Sequence, residues 1–254
     1  MSNEVLLERR GRVLLITLNR PDARNAVNLA VAEQLASALD SLDSDESLSV
    51  GVLTGAGKGF SAGMDLKAFV AGERPHVGDR GFAGITRRAA DKPLIAAIEG
   101  FAVAGGLEIA LSCDLIVAAG DERLGIAEVK RGLVAAAGAL IRLPKRIPYH
   151  AAMELALTGE FIDGARAHQL GLVNRATEPG KALDTALELA EQIAQNAPLA
   201  LKASKQIVSQ AQNWDEQEAW RRQDEISAPM MSSEDAREGA TAFAEKRAPE
   251  WRGR

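Results

Sequence analysis

Two glutamates, Glu108 and Glu128, each close a short glycine-bearing stretch: Gly105-Gly106-Leu107-Glu108 and Leu124-Gly125-Ile126-Ala127-Glu128. A third stretch, Phe60-Ser61-Ala62-Gly63-Met64-Asp65-Leu66, lies upstream. Positioned carboxyl groups take and return protons during reaction. Ala62 and Gly63 are small enough to let a ligand approach the main chain. Met64 is expected to begin a helix, and Gly105-Gly106 to begin another, so each offers an unbonded N–H. Two such donors hold an oxygen that gains negative charge, each worth about a few kcal/mol. The set suits acid/base chemistry beside a thioester carbonyl.

Each part also has a plainer reading. An acid in the first turn of a helix, as Glu108 is expected to be, stabilises that helix by about 0.3–1 kcal/mol. Lys130 and Arg131 follow Glu128, so a surface ion pair accounts for it alone. Asp114 and Glu122 read as ordinary solvated or capping acids. Gly55-Ala56-Gly57-Lys58-Gly59 invites a nucleotide reading and fails it. Val52 stands where a phosphate-binding loop needs glycine, Gly59 where it needs Ser or Thr, and Phe60 where a dinucleotide fingerprint needs its third glycine. Ser61 lacks the Gly-x-Ser-x-Gly setting of a hydrolase nucleophile. His76, His150 and His168 show no ligand spacing for a metal and read as loop or surface residues.

The elements that must hold these residues follow from periodicity. Val13 to Leu18 is nearly continuously apolar and predicts a buried strand, ended by Asn19-Arg20-Pro21-Asp22. Leu29 to Leu42 carries Leu29, Ala32, Leu35, Leu39 and Leu42 on one helical face. Strands are predicted at Val50 to Leu53, Leu94 to Ile98 and Leu115 to Ala118, with a helix from Gly105 to Leu111. Repeated strand–turn–helix units predict an α/β fold with a largely parallel sheet. Residues 72–90, rich in glycine and charge, read as a mobile loop able to cover the far end of a substrate. Beyond Pro144 the pattern turns helical. Helices are predicted at Pro148 to Leu157, after an Asp163 cap as far as Gly171, at Lys181 to Gln195, from Pro198, and at Glu234 to Arg247. An all-helical tail rarely hides all its own apolar surface, which points to subunit packing.

Composition sets outer bounds. The chain has 254 residues, a net charge of -5 and 46% hydrophobic residues. That length and balance suit a globular protein of one large domain, or one domain with an appended helical piece. Charges are mixed along the chain, which argues against a nucleic acid partner. No apolar run is long enough to span a bilayer, and the N-terminus does not read as a secretory signal. Cys113 is the only cysteine. It lies in an apolar stretch and reads as a small buried packing residue, and the lack of a disulfide suits the cytoplasm.

Taken together, the segments resemble the enoyl-CoA hydratase/isomerase (crotonase) superfamily nearly from end to end, and most nearly an enoyl-CoA hydratase. Asn19-Arg20-Pro21 through Asn28 is similar to the family's first CoA-contacting stretch, Gly59 to Leu66 to its first oxyanion-hole motif, and Gly100 to Cys113-Asp114 to its second. Thr158-Gly159 to Val173 and Phe243-Ala244-Glu245-Lys246-Arg247 resemble two C-terminal motifs. The resemblance implies a crotonase-like ββα superhelix in residues 1–195, with a helical trimerisation region in 196–254. It implies oxyanion donors at the N–H groups of Met64 and Gly105, and acid/base roles for Glu108 and Glu128. It implies a CoA path along Ala23, Arg24, Ala26, Ala62, Asp65 and Leu66, with Phe243 and Lys246 at the CoA head, often across a subunit boundary. The expected partners are an acyl-CoA thioester substrate and further copies of the chain, as a trimer or a pair of trimers. No metal and no separate cofactor are expected, coenzyme A being part of the substrate. The expected reaction is reversible addition of water to a trans-2-enoyl-CoA. The alternatives are a double-bond isomerase using mainly one glutamate and a non-catalytic acyl-CoA-binding protein. One departure stands out: Gly132-Leu133-Val134-Ala135-Ala136-Ala137-Gly138 replaces a proline- and glycine-rich stretch common after the second glutamate, which leaves the acyl preference open.

Overall fold

The computed structural model describes residues 3–254. Its strands are β1 (Val5–Arg10), β2 (Val13–Leu18), β3 (Val50–Gly55), β4 (His76–Val77), β5 (Gly81–Phe82), β6 (Leu94–Ile98), β7 (Phe101–Val103), β8 (Leu115–Ala119), β9 (Arg123–Gly125) and β10 (Arg175–Thr177). Its helices are α1 (Leu29–Ser44), α2 (Leu66–Val70), α3 (Gly105–Ala110), α4 (Ala139–Arg146), α5 (Tyr149–Thr158), α6 (Gly164–Gln169), α7 (Ala182–Ala194), α8 (Pro198–Ala211), α9 (Glu216–Met231) and α10 (Glu234–Glu245).

The main sheet runs in the order β1-β2-β3-β6-β8-β10. Its first pair is antiparallel and the rest are parallel. Side chains alternate between the faces of a strand. In β2, Val13 and Leu15 therefore join one apolar cluster while Leu14, Ile16 and Leu18 join another. The first cluster is closed by α7 through Ala182, Ala186, Leu187 and Ala190. The second is closed by α1 through Leu35, Leu39 and Leu42. Cover on both faces explains why β2 reads as an unbroken apolar run.

A smaller parallel pair, β7 and β9, is extended by bridges from Ser61 to Ala102 and from Leu124 to Ile162. This second layer carries the glycine-bearing stretches, with α3 leaving the end of β7 and Glu128 following β9. The C-terminal helices form a separate stack, α8 on α9 and α9 on α10. Pro198 occupies the first turn of α8, where its missing N–H is harmless. Asp163 caps α6 through the Arg166 N–H at 2.6 Å.

Residues 72–90 differ from their expectation as a mobile loop. They form the β4–β5 hairpin, and residues 80–86 are buried. Arg80 is fastened by the Arg88 carbonyl at 2.9 Å and by the Asp40 carboxylate. Glycine and charge mark a tight, anchored turn in this stretch rather than free chain. Helix α4, with Pro144 inside it, starts before the point at which the helical pattern was expected, and α9 has no counterpart among the expected helices.

Candidate active site

The first glycine-bearing segment is pinned to the loop before α1. Arg24 and Asn25 both adopt positive φ, 55° and 52°. Asn25 is 1% exposed; it accepts the Arg20 N–H at 2.9 Å and donates to the carbonyls of Ala56 at 2.9 Å and Gly59 at 2.7 Å. The Ala62 N–H donates to the Arg24 carbonyl at 3.0 Å, Val27 to Gly63 at 2.8 Å and Asp65 to Val27 at 2.9 Å. Arg24 is thus brought beside Ala62, and Arg20 ties the Ala26 carbonyl to the Asp65 carboxylate. The Asp65 carboxylate caps α2 through the Lys67 and Ala68 N–H groups and pairs with Arg20 at 2.9 Å, which gives it a local structural role. Met64 does not begin a helix as expected. Asp65 is the cap and α2 starts one residue later, while Met64 bridges Val27. Ser61 is fully buried and donates to the Asn25 carbonyl at 2.8 Å, a structural bond.

The same segment presses against the start of α3. A methyl group added at Gly63 would lie 2.7 Å from the Gly105 nitrogen, and one added at Gly106 would lie 2.1 Å from the Ser61 carbonyl oxygen. Side chains are excluded there because the two main chains touch. Ala104, the residue before α3, has φ 53° and ψ -129°. Such a conformation costs a non-glycine residue about 1–3 kcal/mol and persists only where its neighbours impose it. Here they do: the Ala104 N–H donates to the Gly125 carbonyl at 2.8 Å, and its carbonyl accepts from Leu107 and Glu108. Among the described residues, neither the Met64 nor the Gly105 N–H has a main-chain acceptor.

Glu108 stands in the first turn of α3 and is 3% exposed. Its Oε1 accepts the Ala139 N–H at 3.1 Å, so α4 orients it. Burial pushes its carboxyl above the usual range, aided by the charge of Glu128; the Ala139 N–H and the Arg142 guanidinium pull the other way. Glu128 opens a 3-10 turn over Glu128–Arg131 and is half-buried. Burial raises its carboxyl also. Its Oε2 is shielded from solvent and has no hydrogen-bond partner among the described residues. The surface ion pair that would explain Glu128 by itself does not form with Lys130, which binds Glu160 at 2.5 Å instead. Glu128 also lines an apolar cavity of about 390 Å³ with Val134, Leu140, Tyr149, Met153 and Leu157.

Phe243 and Lys246 lie elsewhere. Phe243 is 86% exposed on α10, and Lys246 ends that helix in a left-handed conformation. Neither lines the cavity beside Glu128. Sequence reasoning missed three positions of evident importance: Asn25, the Ala139 N–H, and Arg142, which donates to the Thr86 and Ala137 carbonyls beside Glu108. An asparagine after a proline turn is a clue to positive φ at the first; the others depend on where α4 lands. Glu122 is a correction of another kind. It is 5% exposed rather than solvated. Cys113 is buried as expected, and burial pushes its thiol up.

One buried and one half-buried carboxyl, both raised by burial, and two main-chain N–H groups without main-chain acceptors among the described residues are parts suited to acid/base chemistry. Residues 8–254 match the family model described as Enoyl-CoA hydratase/isomerase. The chain is 42% identical over 261 residues to enoyl-CoA hydratase EchA19 of Mycobacterium tuberculosis, covering 99% of this chain and 97% of that one. It is 41% identical over 262 residues to carnitinyl-CoA dehydratase of Escherichia coli K12, covering 100% of both. Among solved structures, an enoyl-CoA hydratase from Mycobacterium tuberculosis H37Rv superposes with a TM-score of 0.98 at 56% identity, over 100% of both chains. A carnitinyl-CoA hydratase from Mycobacterium avium superposes at 0.80 with 43% identity, again over 100% of both. The protein belongs to the enoyl-CoA hydratase/isomerase family, and its fold is the crotonase fold of those hydratases.

Proposed function

We propose that the protein is an enoyl-CoA hydratase, adding water reversibly to a trans-2-enoyl-CoA to give a 3-hydroxyacyl-CoA. The observation that carries this reading is the pair Glu108 and Glu128, both pushed towards the protonated form by burial, with one Glu128 oxygen left unpartnered. A binding protein has no need of two desolvated carboxyls, each of which is costly to bury. In the reaction the thioester oxygen accepts the Met64 and Gly105 N–H groups, drawing electrons from C3. A water between the carboxyls attacks C3. One carboxylate takes the water's proton, and the pair delivers a proton to C2, so the elements of water are added and no electrons change hands. Two carboxyls acting on one water titrate as a coupled pair, so the resting proton is assigned to neither.

Ala23, Arg24, Ala26, Ala62, Asp65 and Leu66 flank the CoA path. Phe243 and Lys246 serve the CoA head of a neighbouring subunit, since they stand clear of the site in their own chain. The active form is then a trimer, or a pair of trimers, acting in the cytoplasm without a separate cofactor. Purified protein mixed with crotonyl-CoA tests the reading: the absorbance of the conjugated enone should fall as hydration proceeds. Conversion of a 3-enoyl-CoA with no gain of water would make it an isomerase. Tight CoA binding with no turnover on any acyl-CoA would make it a binding protein. The relatives named for carnitinyl-CoA give a second substrate to compare.

A further inference from the structure

The chain between Glu128 and α4 is thinly held. Residues 132–134 and Ala136 are exposed. The Leu133 N–H donates to the Glu128 carbonyl at 3.0 Å, and from Val134 to Gly138 no N–H has a main-chain acceptor among the described residues. Helix α4 then starts without a side-chain cap. Its first residue nevertheless has to be placed accurately, because the Ala139 N–H donates to Glu108 Oε1 at 3.1 Å.

Arg142 stands nearly one turn along α4 and reaches back over that start. Its Nη2 donates to the Thr86 carbonyl, and its Nη1 donates to the Ala137 carbonyl at 3.5 Å. The guanidinium fills the space above Gly138, where an added methyl group would lie 2.0 Å from Nη1. Gly138 also has φ 114°, so its lack of a side chain serves both the turn and the arginine. The far anchor is firm. Thr86 is 3% exposed and Ile85 is fully buried. The Thr86 N–H donates to the Phe82 carbonyl at 3.2 Å. Arg80, at the other end of the segment, is fastened to the carbonyls of Arg88 at 2.9 Å and Ala89 at 3.2 Å.

We infer that Arg142 is a positioning residue: its guanidinium clamps the exposed approach to α4 onto the buried Thr86 segment and thereby holds the Ala139 N–H on Glu108. Both partners are main-chain carbonyls, so the task is geometric. A planar fork with several N–H groups spans two carbonyls at once, whereas a lysine offers one ammonium on a flexible stem. The link to turnover rests on the hydratase reading of Glu108. An acid/base group must stand within hydrogen-bond reach of its proton, and a small displacement from a distant change is costly.

The test uses Arg142→Met, which keeps an unbranched stem and removes the donors, and Arg142→Lys. Amide hydrogen exchange over residues 137–143 should quicken in Arg142→Met, while β2 and β6 stay as protected as in the wild type. On crotonyl-CoA, kcat of Arg142→Met should fall by at least about tenfold with KM within about twofold. Arg142→Lys should lie between it and the wild type. In a Glu108→Gln background, Arg142→Met should lower kcat by no more than about a further twofold, because the group it positions is already lost. Unchanged exchange would overturn the clamp. Wild-type kcat in Arg142→Met, or an equal loss in the Glu108→Gln background, would overturn its action through Glu108. Should Arg142→Met not fold, Arg142→Lys carries the same measurements, and wild-type exchange and kcat in it would overturn the need for a fork. Protein inactive on every enoyl-CoA would sink the hydratase reading and leave the clamp to be decided by exchange alone.

Discussion

In the proposed reaction Glu108 and Glu128 carry the chemistry, and the fold buries the first and half-buries the second. Desolvation penalises the charged carboxylate, so each holds its proton to higher pH than a free carboxyl would. The sign for stability follows directly. The folded state binds protons that the unfolded chain has already released, so both groups destabilise the fold as pH rises past the ordinary carboxylate value. Glu108→Gln and Glu128→Gln should therefore each raise the melting temperature near neutrality, with the gain closing under acid conditions. Each should also lower kcat on crotonyl-CoA by at least about 100-fold, the scale of a lost acid/base group. Near-full activity in either variant would remove that residue from the mechanism. Opposite effects on stability and turnover are the mark of a group strained for function.

At the scale of elements, the site depends on contact between two main chains. Gly63 has φ 84°, and a side chain there would meet the first turn of α3. Gly63→Ala should cost more than about 1 kcal/mol, since φ and space both oppose it. Chemical denaturation would measure this, and an unchanged midpoint would show that α3 can retreat. Gly105→Pro should abolish turnover in protein that circular dichroism shows to be folded, because proline has no N–H to donate. Residual turnover near the wild-type level would place the second oxyanion donor elsewhere. These elements were largely legible beforehand. Strands β2, β6 and β8 and helices α1, α3 and α7 follow from apolar periodicity, which reports burial wherever an element faces the core. The hairpin at residues 72–90 was not legible, because its order comes from Arg80 reaching across to Asp40 and to the carbonyls of residues 88 and 89. Helix α4 was hidden by its own proline and by the apolar Leu140 and Ile141 that it leaves exposed.

For the whole molecule, the exposed apolar side chains bear on assembly. Val134, Ile141, Tyr149 and Leu157 are each more than half exposed, on or beside α4 and α5. Val134, Tyr149 and Leu157 also line the cavity beside Glu128, and apolar side chains left open to solvent in this number mark a binding face or a subunit interface. Ile141→Glu combined with Leu157→Glu should shift the mass measured by light scattering from that of the proposed trimer towards the monomer. A trimer that survives both changes would move the interface to another face.

Local sequence is enough to specify most of the strands and helices, the glycines where main chains touch, and which two acids follow them. These features depend on side-chain size, periodicity and neighbours along the chain. Folding in three dimensions was needed to orient Glu108 by an N–H from α4, to leave Glu128 with an unpartnered oxygen, and to bury Glu122. A carboxyl's proton affinity is set by what surrounds it in space, and those surroundings come from segments distant in the chain.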